Sequence, residues 1–256
     1  MPRRLKYRMP TILAIETSSE LASCALLHGE RVSSRDSSGV RTHSQSILPM
    51  VQSLLDEAGI KLSDCDAIAY GCGPGSFTGV RTACGVAQGL AFGAALPAVP
   101  VVTLDAMALA CRQQYQADEI VAVLDARMGE VYWAQYRYEQ GLHAVVAPTL
   151  CAPQEVRPQK VWQQKIGTQD KHLSACGNGF AAYQAAFAGQ DFPGGVHPDI
   201  MPHAIQIGQL ARIAFAAGVA VPAAQAQPLY LRNKIAFTSA ERRDMQEAKA
   251  AAGAVL

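Results

Sequence analysis

The chain has 256 residues, half of them hydrophobic, with 22 basic against 21 acidic residues and a formal net charge of +1. That is enough apolar chain for one large domain or two small ones with a proper core, and the balanced charge argues against unaided gripping of nucleic acid or a membrane surface, which needs clustered cations. Seven cysteines, at 24, 65, 72, 84, 111, 151 and 176, include no C-x-x-C pair and lie mostly in apolar surroundings; they read as buried thiols of a reducing compartment and place the chain in the cytoplasm.

In chain order, residues 1–9 read as a polar, basic extension before Pro10, and Arg3, Arg4, Lys6 and Arg8 offer at most weak contact with nucleic acid. Residues 11–15 form a short apolar strand that ends in Glu16-Thr17-Ser18, and residues 23–27 and 31–35 read as a hairpin around His28-Gly29-Glu30. A helix over 44–58 follows, with Ile47, Leu48, Val51, Leu54 and Leu55 on its apolar stripe, Pro49 in its early part and Gly59 in the stop position. His43 at its head reads as a capping or surface residue.

The run 73–81, GPGSFTGVR, lies between an apolar strand at 67–72 and a helix at 80–92. Gly73, Pro74, Gly75, Ser76, Thr78, Gly79 and Arg81 are candidate loop residues: glycines let the backbone turn and let another group approach, and amides at a helix start favour an anion. No Lys follows Gly79 as a Walker loop requires, and position 78 is not the glycine of a dinucleotide fingerprint. Phosphate cradle and packed turn stand at even odds on this pattern. Within the helix, Gly85, Gly89 and Gly93 recur every four residues, at a cost of about 1 kcal/mol each against alanine, so they mark a face for close packing. Packing within the fold is preferred over a subunit contact, for which Leu48, Val51 and Leu55 supply a neighbouring apolar face. Residues 85–102 are the most apolar region but hold Gln88, Pro97 and Pro100, too interrupted for a membrane span.

The order then recurs. Strands at 120–124, 131–138 and 142–146 repeat the opening pattern, a strand at 174–176 leads into Gly177-Asn178-Gly179, helices are expected near 181–188 and 205–217, and 191–202 reads as a surface loop. Asp125 answers Glu16 at the end of a first strand, which suggests duplicated lobes of strand-strand-strand-helix-strand-helix form. Glu16, Thr17, Ser18, Asp125 and Arg127 are candidate cleft residues; the two acids either hold a divalent cation beside phosphate or cap their own turns. The six histidines form no spaced ligand pair, no G-x-S-x-G elbow occurs, and Cys72 and Cys84 lie in apolar runs, so neither a resident metal nor a nucleophile is expected.

Taken together, residues 12–18 (ILAIETS), the full 73–81 run, residues 124–132 (LDARMGEVY) and Tyr230-Leu231-Arg232-Asn233 resemble the bacterial TsaB (YeaZ) family over residues 10–236. The resemblance implies an α/β, two-lobed fold of the actin, Hsp70 and sugar-kinase superfamily. The lobes would be 10–108 and 109–236, the last segment packing back on the first, with a tail at 237–256. It further implies a non-catalytic subunit that pairs with the paralogue TsaD and, with the ATPase TsaE, supports formation of N6-threonylcarbamoyladenosine beside the anticodon of ANN-decoding tRNAs. Contact with tRNA would come only through the complex, no cofactor is expected, and weak ATP or ADP binding in the complex and a homodimer of the isolated chain stay open. Where the paralogue carries a metal-binding histidine pair, this sequence has Thr103 and Met107. The partner face would combine the helices at 44–58 and 80–92. The alternative is an ATP-dependent small-molecule kinase of the same fold, served by Glu16, Asp125 and the Gly177-Asn178-Gly179 turn.

Overall fold

A computed structural model describes residues 8–38, 43–159 and 173–232. The extension at 1–7, Asn233 and the tail at 237–256 lie outside the described residues.

The first lobe opens with an antiparallel meander, β1 (Ile12–Glu16), β2 (Leu21–His28) and β3 (Arg31–Ser38). Helix α1 (His43–Ala58) then leads to β4 (Ala67–Gly73), α2 (Phe77–Gly93) and β5 (Ala98–Val102). The sheet order is β3-β2-β1-β4-β5, with β4 parallel to both β1 and β5. Period-two alternation sends the side chains of β1 to two cores. Leu13 and Ile15 pack under α1 and α2 with Ile47, Leu54, Ala83 and Ala87, whereas Ile12 and Ala14 face the opposite core. Continuous apolar strands, buried on both faces, are what a sheet covered by helices on both sides requires.

Helix α3 (Thr103–Tyr115) joins the lobes. A boundary between residues 108 and 109 would cut it in two, so that division is corrected: Ala106 packs with the first sheet while Leu104, Met107 and Cys111 pack with the second. The second lobe repeats the pattern with β6 (Glu119–Arg127), β7 (Glu130–Tyr138), β8 (Leu142–Cys151), β9 (Leu173–Cys176) and the short β10 (Val196–His197). Its order, β10-β9-β6-β7-β8, is that of the first sheet read from the other edge, with the same parallel and antiparallel pairings. The duplication expected from the recurring acid-ended strand is therefore present. The helix expected at 181–188 is two short turns, α4 (Gly179–Ala182) and α5 (Gln184–Phe187), broken at Tyr183. Helix α6 (Ala204–Ala216) returns to the first lobe, where Ala204, Ile207 and Ala211 cover Ile12, Ala14 and Leu27.

From α6 the chain runs along the edge of the first sheet, pairing Val221 with Ala98. It then crosses to the second lobe as a strap. The Tyr70 hydroxyl donates to the Gln227 carbonyl at 3.1 Å and accepts from the Gln227 amide at 2.9 Å, and the Leu229 amide donates to the Cys72 carbonyl at 2.7 Å. At the far end Arg232 pairs with Glu130 at 2.5 Å. Six cysteines are buried, Cys151 is half-buried and none is bonded to another; burial pushes the Cys24 and Cys72 thiols up to about 12.

Candidate functional site

The glycine loop folds against the turn that follows β1. A Cβ on Gly75 would lie 2.6 Å from the Ser18 carbonyl oxygen and one on Gly79 only 1.9 Å from that of Thr17. The Ser76 amide donates to the Ser18 carbonyl at 2.7 Å, and the Thr17 hydroxyl donates to the Gly79 carbonyl at 2.7 Å. Gly73, at φ +108°, has the Leu229 carbonyl where a side chain would stand. Gly73, Gly75 and Gly79 are thus engaged in close backbone approach. Ser76 caps α2 by accepting from the Gly79 amide at 3.4 Å, which is why the helix begins at Phe77, three residues before its apolar periodicity does.

Glu16 is fully buried and does not line the space between the lobes. One carboxylate oxygen accepts from the Ser18 amide at 2.5 Å; the other, Oε2, has no hydrogen-bond partner and occupies the place a Gly71 side chain would take. Burial raises its pKa, against the opposing pull of its contacts with Ser18 and Thr17. Asp125 does face the interlobe space, yet its carboxylate also serves its own turn: Oδ1 accepts from the Arg127 amide at 2.8 Å and the Tyr183 hydroxyl at 2.9 Å. The expectation that Glu16 and Asp125 face one another across a cleft is corrected. Each closes a local turn, and Thr17 and Glu16 are sealed inside the first lobe. The Gly177-Asn178-Gly179 turn repeats the packing of the glycine loop, since a Cβ on Gly177 would lie 2.2 Å from the Val123 carbonyl oxygen.

A cavity of about 630 Å³ remains between the lobes. Of the predicted residues, Ser18, Gly75, Ser76, Asp125 and Arg127 line it; Gly73, Pro74, Thr78, Gly79 and Arg81 do not. Phe77, Tyr132, Tyr230, Met128 and Met201 are among the other lining residues. Sequence reading passed over these except through the motifs around Tyr132 and Tyr230, because an aromatic residue in a strand or loop looks like core until the opposite wall is known. Arg127 reaches across to Glu20 at 3.1 Å, but both side chains are more than two-thirds exposed, so the pair adds little. The Arg81 guanidinium stacks 3.2 Å from the Phe77 ring centroid and lies 5.2 Å from that of Tyr230.

The second candidate surface is the outer face of α2. Phe77, Arg81, Gly85, Gly89 and Gly93 recur at four-residue spacing and all are exposed, and a Cβ on any of the three glycines would meet nothing within 4 Å. Packing of this stripe within the fold, the preferred expectation, is not seen among the described residues, where the face is open. Beside it, Leu48 is 52% and Phe92 79% exposed. Val51 and Leu55, by contrast, are 4% and 5% exposed among the first-lobe core, so these two expected interface residues are withdrawn. They belong to the inner stripe of α1, where the same i, i+4 spacing that suggested an outer face serves the core. His43 is likewise buried rather than on the surface; its Nε2 lies 3.1 Å from the Glu20 carbonyl. Thr103 and Met107 are fully buried on α3. Among the described residues no group of three or more His, Cys, Asp or Glu is placed to hold a metal ion, and no helix is long and apolar enough to cross a membrane.

Two sheets of one strand order, joined by a shared helix and enclosing a cavity, define a two-lobed α/β protein of the actin-like class. A Pseudomonas aeruginosa protein described as similar to peptidase YEAZ superposes with a TM-score of 0.79 at 40% identity, over 88% of this chain and 100% of that one. YeaZ from Pseudomonas aeruginosa superposes equally, at 39% identity over 87% of this chain. The family model described as TsaD, tRNA N6-adenosine threonylcarbamoyltransferase, matches residues 31–242. The tRNA threonylcarbamoyladenosine biosynthesis protein TsaB of Escherichia coli is 41% identical over 231 residues, 88% of this chain and 96% of that protein. Its counterpart in Haemophilus influenzae is 36% identical over 244 residues, 91% of this chain and 98% of that protein. The chain belongs to this family, and within it to the TsaB group.

Proposed function

We propose that this chain is the cytoplasmic, non-catalytic scaffold subunit of the complex that forms N6-threonylcarbamoyladenosine beside the anticodon of ANN-decoding tRNAs. In this reading it binds and activates TsaD, TsaE joins the complex, and tRNA is reached only through the assembly. The observation that carries the reading is the open face of α2. Three exposed glycines on one helix face cost about 3 kcal/mol in helix propensity and bring no packing among the described residues; a partner helix at close range offsets that cost. The buried Thr103 and Met107, at the positions where the resemblance puts the paralogue's histidines, support a role that does not depend on a metal held there.

The kinase alternative loses support because Glu16 is buried and does not line the cavity, and the Ser76, Gly79 and Val80 amides of the glycine loop are engaged on Ser18 and Ser76. Size-exclusion chromatography of the purified chain mixed with TsaD tests the proposal. Wild type is expected to co-elute as a heterodimer and Gly89→Arg to elute separately; undisturbed association of the variant rejects this surface. A homodimer of the isolated chain through the same face would disappear with the same substitution.

A further inference from the structure

We propose that residues 230–232 form a lid over the interlobe cavity and that Arg232 is its latch. Leu229, Tyr230, Leu231 and Arg232 are consecutive and all line the cavity, but the grip on them changes along the run. Upstream, the Tyr70 hydroxyl exchanges two hydrogen bonds with Gln227, the Leu229 amide donates to the Cys72 carbonyl at 2.7 Å, and the Leu229 side chain packs against the first-lobe core. Beyond that point the backbone of Tyr230, Leu231 and Arg232 makes no hydrogen bond among the described residues. A run without backbone bonds, fixed at one end and held at the other by side chains, is where local opening costs least.

The far anchor is built from side chains. Leu231 packs, partly buried, against the second-lobe core. The Arg232 guanidinium donates to the Glu130 carboxylate at 2.5 Å, the Arg127 carbonyl at 3.3 Å and the Met128 thioether at 3.4 Å, so all three contacts fall on the β6–β7 turn. Two costs attach to the closed latch. Arg232 Nε is buried without a hydrogen-bond partner, and a buried donor left unmade is penalised. The turn it grips is left-handed at Arg127 (φ +61°), Met128 (φ +61°) and Gly129 (φ +78°); the first two carry side chains that disfavour this conformation, and such residues persist only where their surroundings hold them. The charge-assisted bond to Glu130 offsets both costs, which leaves the closed and open forms close in free energy. Release exposes Nε to water and lets the turn relax, while α3, packed in both lobes, keeps them joined. The cavity then opens along its strap wall without rotation of one lobe on the other.

The lid uses no residue of the α2 face, so its failure leaves the docking proposal untouched. Trypsin cuts after an arginine only when the guanidinium is free to enter the protease. Cleavage of the 232–233 bond in the folded full chain, read by mass spectrometry, therefore reports the population of the open latch. Glu130→Gln removes the charge that holds Arg232 and is expected to speed this cut by about tenfold. Arg127→Asn keeps the carbonyl contact, eases the left-handed position and is expected to slow the cut by about threefold. Ser18 is buried and lines the cavity, so alkylation by a maleimide of the thiol introduced by Ser18→Cys reports whether the cavity itself opens. Adding Glu130→Gln is expected to speed that alkylation by about tenfold as well. A cut unmoved by either variant, a cut whose urea dependence equals that of global unfolding, or a faster cut without faster alkylation at position 18 would each overturn the proposal.

Discussion

Glu16 ends β1 with one carboxylate oxygen bonded to the Ser18 amide and the other buried beside Gly71 without a partner. Burial raises its pKa from the ordinary 4.5, so the folded state holds this proton more tightly than the unfolded chain does. The stability associated with the neutral form is complete below about pH 4.5 and is lost as pH rises through the raised folded value. Glu16→Gln keeps the acceptor for Ser18 and removes the charge. Urea unfolding from about pH 5 to about pH 8 should show wild type losing stability relative to Glu16→Gln; a constant difference between the two across that range would contradict the assignment. The sequence marked Glu16 as chemically notable but left two roles open. Which role applies depends on where Gly71, on β4 and three strands further along the sequence, sits against it, and no local pattern carries that.

At the scale of elements, α2 contains glycines of opposite kinds. Gly79 faces the Thr17 carbonyl with no room for a methyl group, while Gly89 faces open space. Gly79→Ala is expected to cost about 1–3 kcal/mol or more as the loop is forced off the β1 turn. Gly89→Ala is expected to gain about 1 kcal/mol from helix propensity alone. Chemical denaturation of the two variants separates them by sign, and equal effects would mean that both glycines play one role. Most elements were legible because their apolar period was clear: both three-stranded meanders, α1, α2 and α6 stand where alternation and helical spacing put them. Helix α3 had no such signal. Val102 ends β5 and Thr103 begins the helix directly, so no turn residue separates them. The inner and outer stripes of α1 were also confused, since Leu48 and Val51 are three positions apart yet 52% and 4% exposed; only the sheet beneath decides which stripe is inside.

At the scale of the whole molecule, the duplicated strand order matches two glycine turns, at 73–79 and 177–179, one packed on the turn that follows β1 and the other on Val123 of β6. The strap from Gln227 to Arg232 ties the lobes together across the cavity, through Tyr70 and Cys72 on one side and Glu130 on the other. Among the described residues the glycine stripe of α2 has no internal partner, and the proposed role rests on that surface. The most direct test is the content of N6-threonylcarbamoyladenosine in tRNA digests from cells depleted of this chain and supplied with wild type, Gly89→Ala or Gly89→Arg. The account predicts that depletion abolishes the nucleoside, that wild type and Gly89→Ala restore it, and that Gly89→Arg, though folded, does not. A normal nucleoside profile after depletion, or full restoration by folded Gly89→Arg, would contradict it.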